Sequence, residues 1–381
     1  MALDDPWLDR RQALAGLLAS TLSLPAMAET TSTPPTYAAV AMQLTARSVE
    51  GARDREAVRR QVLAHIAEIG PKLRSAGIFI AQYSGAPVRL AVLPEYLFTS
   101  YPGREGIVEF AGRVAWDADG PEYEALGRLA AEQKVFLAGN AYERDRHFPG
   151  LYFQSSFVVA PSGEVLLRYR RLNSMFAPTP HDVWSKYLDI YGLDGVFPVA
   201  DTEIGRLAAI ASEEILYPEI ARAHALRGAE VFVHSSSEIG SPLATPKAIA
   251  RRARAVENLA YVVSANTAGI SGTALPLASA DGNSALIDPK GVVLAESNAG
   301  ETFTAFGDID LTSLRALRRK PGMTNFLARQ RTGLFAPVYA AADHQRADAL
   351  LSNGELRIPE RDHFRRVHAE TIERLSKEGL I

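Results

Sequence analysis

The chain has 381 residues, 47% of them hydrophobic and 22% charged, with a formal net charge of −3 and no cysteine. That composition is ordinary for a globular protein with a large core, and the slight negative charge gives no electrostatic ground for binding nucleic acid. No stretch reaches the roughly 20 consecutive apolar residues of a membrane span, and a disulfide framework is excluded.

Taken from the N-terminus, MALDDPWLDRRQALAGLLASTLSLPAMAET carries the pair Arg10-Arg11, a moderately apolar run and then Ala26-Met27-Ala28. A basic pair, an apolar run and an A-x-A site are the layout of an export signal, here resembling the twin-arginine kind. Residues 1–28 are therefore expected to send the protein to the periplasm or outside the cell. An oxidising compartment suits a chain without thiols. The alternative is an amphipathic extension on a cytoplasmic protein. Residues 29–36, ETTSTPPT, read as a linker.

Strand-like apolar runs then alternate with helical patterns. Ala38 to Leu44 predicts a strand, and Val58, Val62, Ile66 and Ile69 fall on one face of the helix that follows. Val88 to Leu93 predicts a second strand, ending just before Glu95. A helix near 121–133 precedes a strand at Val135 to Gly139, and strands at Phe157 to Ala160 and Val165 to Tyr169 flank the turn Pro161-Ser162-Gly163. Leu207 to Ala211 is a buried strand, followed by the polar turn Ser212-Glu213-Glu214 and a helix opened by Pro218. After the strand Val231 to Ser235, Thr245 can cap a helix that has Pro246 in its first turn. Tyr261 to Ala265 and Ser284 to Ile287 are the last predicted strands, and beyond about residue 312 the pattern is polar and irregular until Phe364 to Leu380. This alternation places the fold in the α/β class.

Two positions carry chemistry on their own terms. Glu95 follows the apolar run Leu90 to Leu93, so its carboxylate stands at the end of a central strand, where a charge needs a function or a partner. Ser212 stands at a strand–turn–helix corner, the kind of turn that exposes one short side chain beside backbone N–H groups.

Three segments in this order, LAVLPEYLF with Glu95, GEVLLRYRRLN with Arg171, and the Ser212 corner followed by Pro218-Glu219, resemble the nitrilase or carbon-nitrogen hydrolase superfamily. ARAVENLAYVVSANTAG (253–269) and DGNSALIDPKGVVLAE (281–296) extend the likeness, which covers about residues 37–311. The resemblance implies a four-layer αββα sandwich and a Glu-Lys-Cys triad in which Glu95 holds the glutamate position. Arg171 then stands for the lysine and Ser212 for the cysteine. The sequence carries no phosphate-binding glycine loop and no metal constellation, so no cofactor and no metal are expected; His363 and His368, five apart, share a helix face poorly. The resemblance also makes the extension 312–381 the candidate for contacts in a homodimer or larger homo-oligomer.

In that mechanism the glutamate is the general base, the thiol the nucleophile, and the lysine cation stabilises the oxyanion. A serine hydroxyl is a far weaker acid than a thiol and needs a better base, and arginine cannot deliver a proton as lysine can. His224 is the one histidine within a few residues of Ser212, and its place inside the following helix argues against it as partner. Further candidates for ligand contact are Glu213, Glu214, Gln154 and Asp182; the first two also suit a helix start through its dipole. Glu95, Arg171 and Ser212 are expected to converge in one pocket for a small amide, nitrile or carboxylate. Two functions stay open: a hydrolase of non-peptide carbon–nitrogen bonds with an altered Glu-Arg-Ser triad, and a binding protein that keeps the pocket without the chemistry.

Overall fold

The computed structural model describes residues 36–239, 244–342 and 344–381. The expected signal (1–28) and all but the last residue of the linker lie outside them.

Strand β1 (Tyr37–Gln43) shows how the sequence builds the layers, because all seven of its residues are buried. Ala38, Val40 and Met42 pack into one core with the helix α1 (Arg55–Ser84), while Tyr37, Ala39 and Ala41 pack into a second core with the other sheet. A strand buried on both faces needs apolar residues at every position, which is what the run supplies. Helix α1 starts where Asp54 accepts the Ala57 N–H at 2.8 Å and ends at Gly85, whose φ of 76° is the left-handed stop favoured by glycine. It buries Val58, Val62, Ile66 and Ile69, the face expected from the spacing, and continues through Pro71.

The first sheet adds β2 (Val88–Val92), β3 (Phe136–Arg144), β4 (Tyr152–Val159) and β5 (Val165–Arg170). The second comprises β6 (Ala200–Thr202), β7 (Gly205–Ala211), β8 (Val231–Ser235), β9 (Tyr261–Ala265), β10 (Ala285–Ile287) and β11 (Val293–Glu296). Strand β12 (Thr302–Ile309) returns to the first sheet, giving two six-stranded sheets in the orders β12-β1-β2-β3-β4-β5 and β11-β10-β9-β8-β7-β6. In each, the three central strands are parallel and the flanking ones antiparallel. Helices α1 and α3 (Pro121–Gln133), with the short α2 (Ile107–Arg113), cover the first sheet; α5 (Pro218–Leu226) and α6 (Pro246–Asn258) cover the second. The result is the α/β sandwich of two sheets flanked by helices expected above.

Two regions depart from the sequence reading. Residues 173–200, where the sequence reading places no element, contain α4 (Trp184–Val196), broken at Gly192. It escapes the periodicity because it buries little beyond Tyr187 and Val196. The extension is also less irregular than expected. Helix α7 (Leu311–Arg319) is capped by Asp310, and Arg318 donates to the carbonyls of Leu259 and Asn258 at 2.8 and 3.2 Å. Further on, Leu350 and the first turn of α8 (His363–Lys377) return to the body of the chain, where Leu350 and Phe364 enter the same core as α1. Among the described residues no helix is long and apolar enough to cross a membrane.

Candidate active site

The parallel strands β2, β7 and β8 end at one place, and so does β5. Ser235 Oγ donates to Leu93 O at 2.7 Å and Glu95 N to Ser236 O at 3.2 Å, which ties the end of β2 in one sheet to the end of β8 in the other. The mouth outside the carboxyl ends of parallel strands is where open α/β sheets place their ligands.

From the first sheet come Glu95, Gln154 and Arg171. Gln154 on β4 donates to Glu95 Oε1 at 2.6 Å, and its own carbonyl oxygen accepts from Arg171 Nη1 at 2.7 Å. The same guanidinium nitrogen lies 3.7 Å from Glu95 Oε1. Arg171 further donates through Nε to Asn173 O at 2.7 Å and through Nη2 to Glu213. Burial acts to discharge Arg171, but Glu95, Glu213 and Glu214 outweigh it and hold its pKa above the ordinary arginine value. Glu95 itself is buried, and its second oxygen, Oε2, has no partner among the described residues. A buried carboxylate oxygen left open in this way is an acceptor waiting for a donor.

From the second sheet comes the corner. Ser212 begins a 3-10 turn, Ser212–Leu216, with φ of 48°, a left-handed backbone that serine adopts only under constraint. The constraint is His234 on β8, whose Nε2 lies 2.8 Å from Ser212 O and whose Nδ1 lies 2.7 Å from Ser264 Oγ. A carbonyl only accepts, so Nε2 carries the proton and Nδ1 accepts from the serine hydroxyl. Arg251 Nη1 in turn donates to Ser264 Oγ at 3.1 Å, which completes a directed chain from α6 through β9 and β8 to the corner. Burial holds the His234 pKa down to about 3, so the ring is neutral, as this chain requires. The histidine that reaches Ser212 is thus not His224, which is buried against Tyr169 and Phe197, but one from the adjacent strand.

The side chain of Ser212 meets a residue the sequence reading did not single out. Lys247 Nζ lies 3.0 Å from Ser212 Oγ, 3.3 Å from Ser236 Oγ and 3.2 Å from Ser237 O. Lys247 is the second residue of α6, after the N-cap Thr245 and Pro246. A cation in the first turn of a helix opposes the helix dipole, and that local conflict is the signal by which the sequence could have flagged it. Burial pushes the Lys247 pKa below the usual lysine range, with Arg171 adding to the effect and Glu95, Glu238 and Glu213 opposing it.

Glu95, Gln154, Arg171, Glu213 and Ser212 therefore come together, as a sequence-distant cluster. Their neighbour Glu214 does not face a ligand: it is fully buried and accepts from Leu172 N at 2.8 Å, Asn173 N at 2.9 Å and Tyr169 OH at 2.7 Å. It holds the loop that carries Arg171, and burial raises its pKa against those hydrogen bonds. Gln154 is spent on bridging Glu95 to Arg171. Asp182 joins none of these contacts; it closes a capping box with Thr179, whose N and Oγ1 both lie 2.8 Å from Asp182 Oδ2.

The carbon-nitrogen hydrolase family model matches residues 37–319. Omega-amidase NIT2 of Bos taurus is 25% identical over 65% of this chain and 85% of its own. A formamidase of Helicobacter acinonychis is 30% identical over half of this chain and 52% of its own. Among solved structures, Nit3 of Saccharomyces cerevisiae, a member of the nitrilase superfamily, superposes with a TM-score of 0.58 at 20% identity, over 76% of this chain and 95% of its own. An amidase of Nesterenkonia sp. AN1, solved as a mutant in complex with butyramide, does so with a TM-score of 0.54 at 20% identity, over 80% and 97%.

Proposed function

The chain belongs to the carbon-nitrogen hydrolase family, and from that premise we propose that it hydrolyses the carbon–nitrogen bond of a small carboxamide, with Ser212 as the nucleophile. The observation that carries this reading is the convergence of the Ser212 corner with Glu95 and Arg171 from three distant segments, in a buried site where Glu95 Oε2 has no partner among the described residues. A carboxamide offers N–H donors to that oxygen, whereas a nitrile offers none. The relatives named as amidases point the same way.

In this scheme Ser212 Oγ attacks the amide carbon and forms an ester with the acyl group as the amine departs; water then releases the acid. Glu95 orients the amide nitrogen. Arg171, already bonded to Gln154, Asn173 and Glu213, fixes Glu95 and lends positive potential to the oxyanion. The test uses butyramide as substrate and p-nitrophenyl butyrate as an acylating probe, with acid quench and intact mass. The wild-type chain should show a butyryl adduct on Ser212, and Ser212→Ala should lose turnover by at least about 10³-fold. Butyramide binding without turnover, and without an adduct from either compound, would establish a binding protein instead.

A further inference from the structure

We propose that Lys247 is the general base of this site, taking the proton of Ser212 Oγ as the hydroxyl attacks and returning it to the departing amine. The inference rests on Ser212 being the nucleophile and assigns the proton transfer to a lysine on α6, in place of the carboxylate at the end of β2.

The geometry is that of a base. A neutral amine has two N–H donors and one lone pair. Ser237 O can only accept, so it takes one N–H at 3.2 Å; Ser236 Oγ takes the other at 3.3 Å. The lone pair is left for the third neighbour, Ser212 Oγ at 3.0 Å, whose hydroxyl then donates to it. Once protonated, the ammonium donates to the same three oxygens. Both protonation states use one arrangement, so the proton can cross without a side-chain movement. A lysine serving only to join the strand ends would be expected against a carboxylate; the three hydrogen-bond partners here are neutral.

The electrostatics keep the amine available. Lys247 is partly buried at the positive end of α6. Facing it are Glu95 from the end of β2, Glu238 from beyond β8, Glu213 from the corner and Arg171 from the end of β5. Arg251 stands one turn along α6, and the neutral His234 lies behind Ser212. The carboxylates are each drawn elsewhere: Glu95 to Gln154, Glu213 to Arg171, and Glu238 to Thr245 at 3.0 Å and Arg251 at 3.5 Å. Burial lowers the lysine pKa, as in other lysines that work as bases. The alternatives are poorer, because an arginine does not lose its proton and Glu95 makes no hydrogen bond to Ser212: its Oε1 accepts from Gln154 and its Oε2 meets no partner among the described residues.

The steps balance. Nζ accepts the hydroxyl proton while the Oγ–C bond forms and the carbonyl π pair moves to oxygen. The tetrahedral adduct collapses, the C–N bond breaks, and the Nζ proton goes to the leaving nitrogen. Water attacks the resulting ester as Nζ takes one of its protons; the Oγ–C bond then breaks and that proton returns to Oγ. The products are the amine and the carboxylic acid.

The absence of cysteine from the chain makes the test specific. Lys247→Cys introduces a unique thiol, and 2-bromoethylamine converts it to an aminoethyl side chain one sulfur removed from lysine. Acylation by p-nitrophenyl butyrate and hydrolysis of butyramide are followed against pH for the wild-type chain, Lys247→Cys before and after alkylation, and Lys247→Met. Both substitutions should lower acylation by about 10²–10⁴-fold. Alkylation should restore a large part of it, with the rising limb of the pH profile displaced to lower pH, because the sulfur makes the amine less basic. A purely structural lysine would not shift that limb. Acylation by Lys247→Met within about tenfold of wild type, with an unchanged pH profile, would overturn the assignment while leaving Ser212 as nucleophile. So would full alkylation of a folded Lys247→Cys chain without recovery. If Lys247→Met does not fold, the alkylated chain and the wild-type profile decide. If the wild-type chain forms no adduct at all, the nucleophile reading fails and this one with it.

Discussion

The two sheets bring different kinds of chemistry to one mouth. The first contributes a charge cluster already joined by hydrogen bonds, with Glu95 Oε2 left open: Glu95, Gln154 and Arg171 hold one another, and Glu213 closes the far side of the guanidinium. The second contributes groups whose protons can move or are directed: Ser212 against Lys247, and the directed chain Arg251, Ser264, His234 behind the corner. The contrast teaches that in this fold fixed charge and exchangeable protons come from opposite layers. The carboxylate on one side is pinned, and the hydroxyl on the other is poised.

Among substitutions, the largest effect should come from breaking the first-sheet cluster. Arg171→Met leaves Glu95 a buried, uncompensated charge and should cost about 3–5 kcal/mol in urea unfolding. Adding Glu95→Leu should recover much of that loss. No recovery in the double variant would mean that the pair is not coupled as described.

Acid should act next, and on both layers. Burial depresses His234 and His224 to about 3 and His65 to about 4. The unfolded chain, with ordinary histidines near 6.5, binds more protons than the folded one between these values, so stability is fully present above about pH 6.5 and is lost as pH falls toward them. The loss should be on the order of 3 kcal/mol each for His234 and His224 by pH 4. Chemical denaturation at pH 7, 5.5 and 4 measures it, and a flat profile would contradict the buried neutral rings.

A sharper probe of the second sheet is His234→Ala, which removes the hydrogen bond to Ser212 O and leaves a buried carbonyl and Ser264 without their partner. It should cost about 1–3 kcal/mol. It should also slow acylation of Ser212 by p-nitrophenyl butyrate more than it weakens butyramide binding, because it releases the corner and leaves the first-sheet cluster intact. Equal losses of both would mean that the chain supports the whole mouth.

The smallest effect is expected at the start of α6. Thr245 accepts the Ala248 N–H at 3.0 Å and donates to Glu238, and Thr245→Ala should cost about 1 kcal/mol. Because the cap sets the position of Lys247, the acylation rate should fall by more than the melting shift alone accounts for; an unchanged rate would show that Lys247 is held by Ser236 and Ser237.

Much of this was legible in the chain alone. Period and composition give most of the sandwich strands and the α1 face, because alternation and 3.6-residue spacing are local properties that burial then enforces. The α6 start at Thr245-Pro246 is legible for the same reason. Glu95 and Ser212 are marked by their places after predicted strands, and Arg171 by the family resemblance of the three ordered segments. What the sequence could not decide is which polar groups meet. Lys247 lies 35 residues from Ser212, and only the parallel pairing of β7 with β8, with α6 packed behind, brings its amine to the hydroxyl. His234 is likewise 22 residues from the carbonyl it holds, while the nearer His224 is turned into the core. Glu213 and Glu214 are adjacent in sequence and opposite in role, one paired with Arg171 and the other buried under the loop that carries it. Side-chain periodicity fixes which face a residue shares, but hydrogen bonds between ends of different strands depend on how the two sheets stack, and that is a property of the assembled fold.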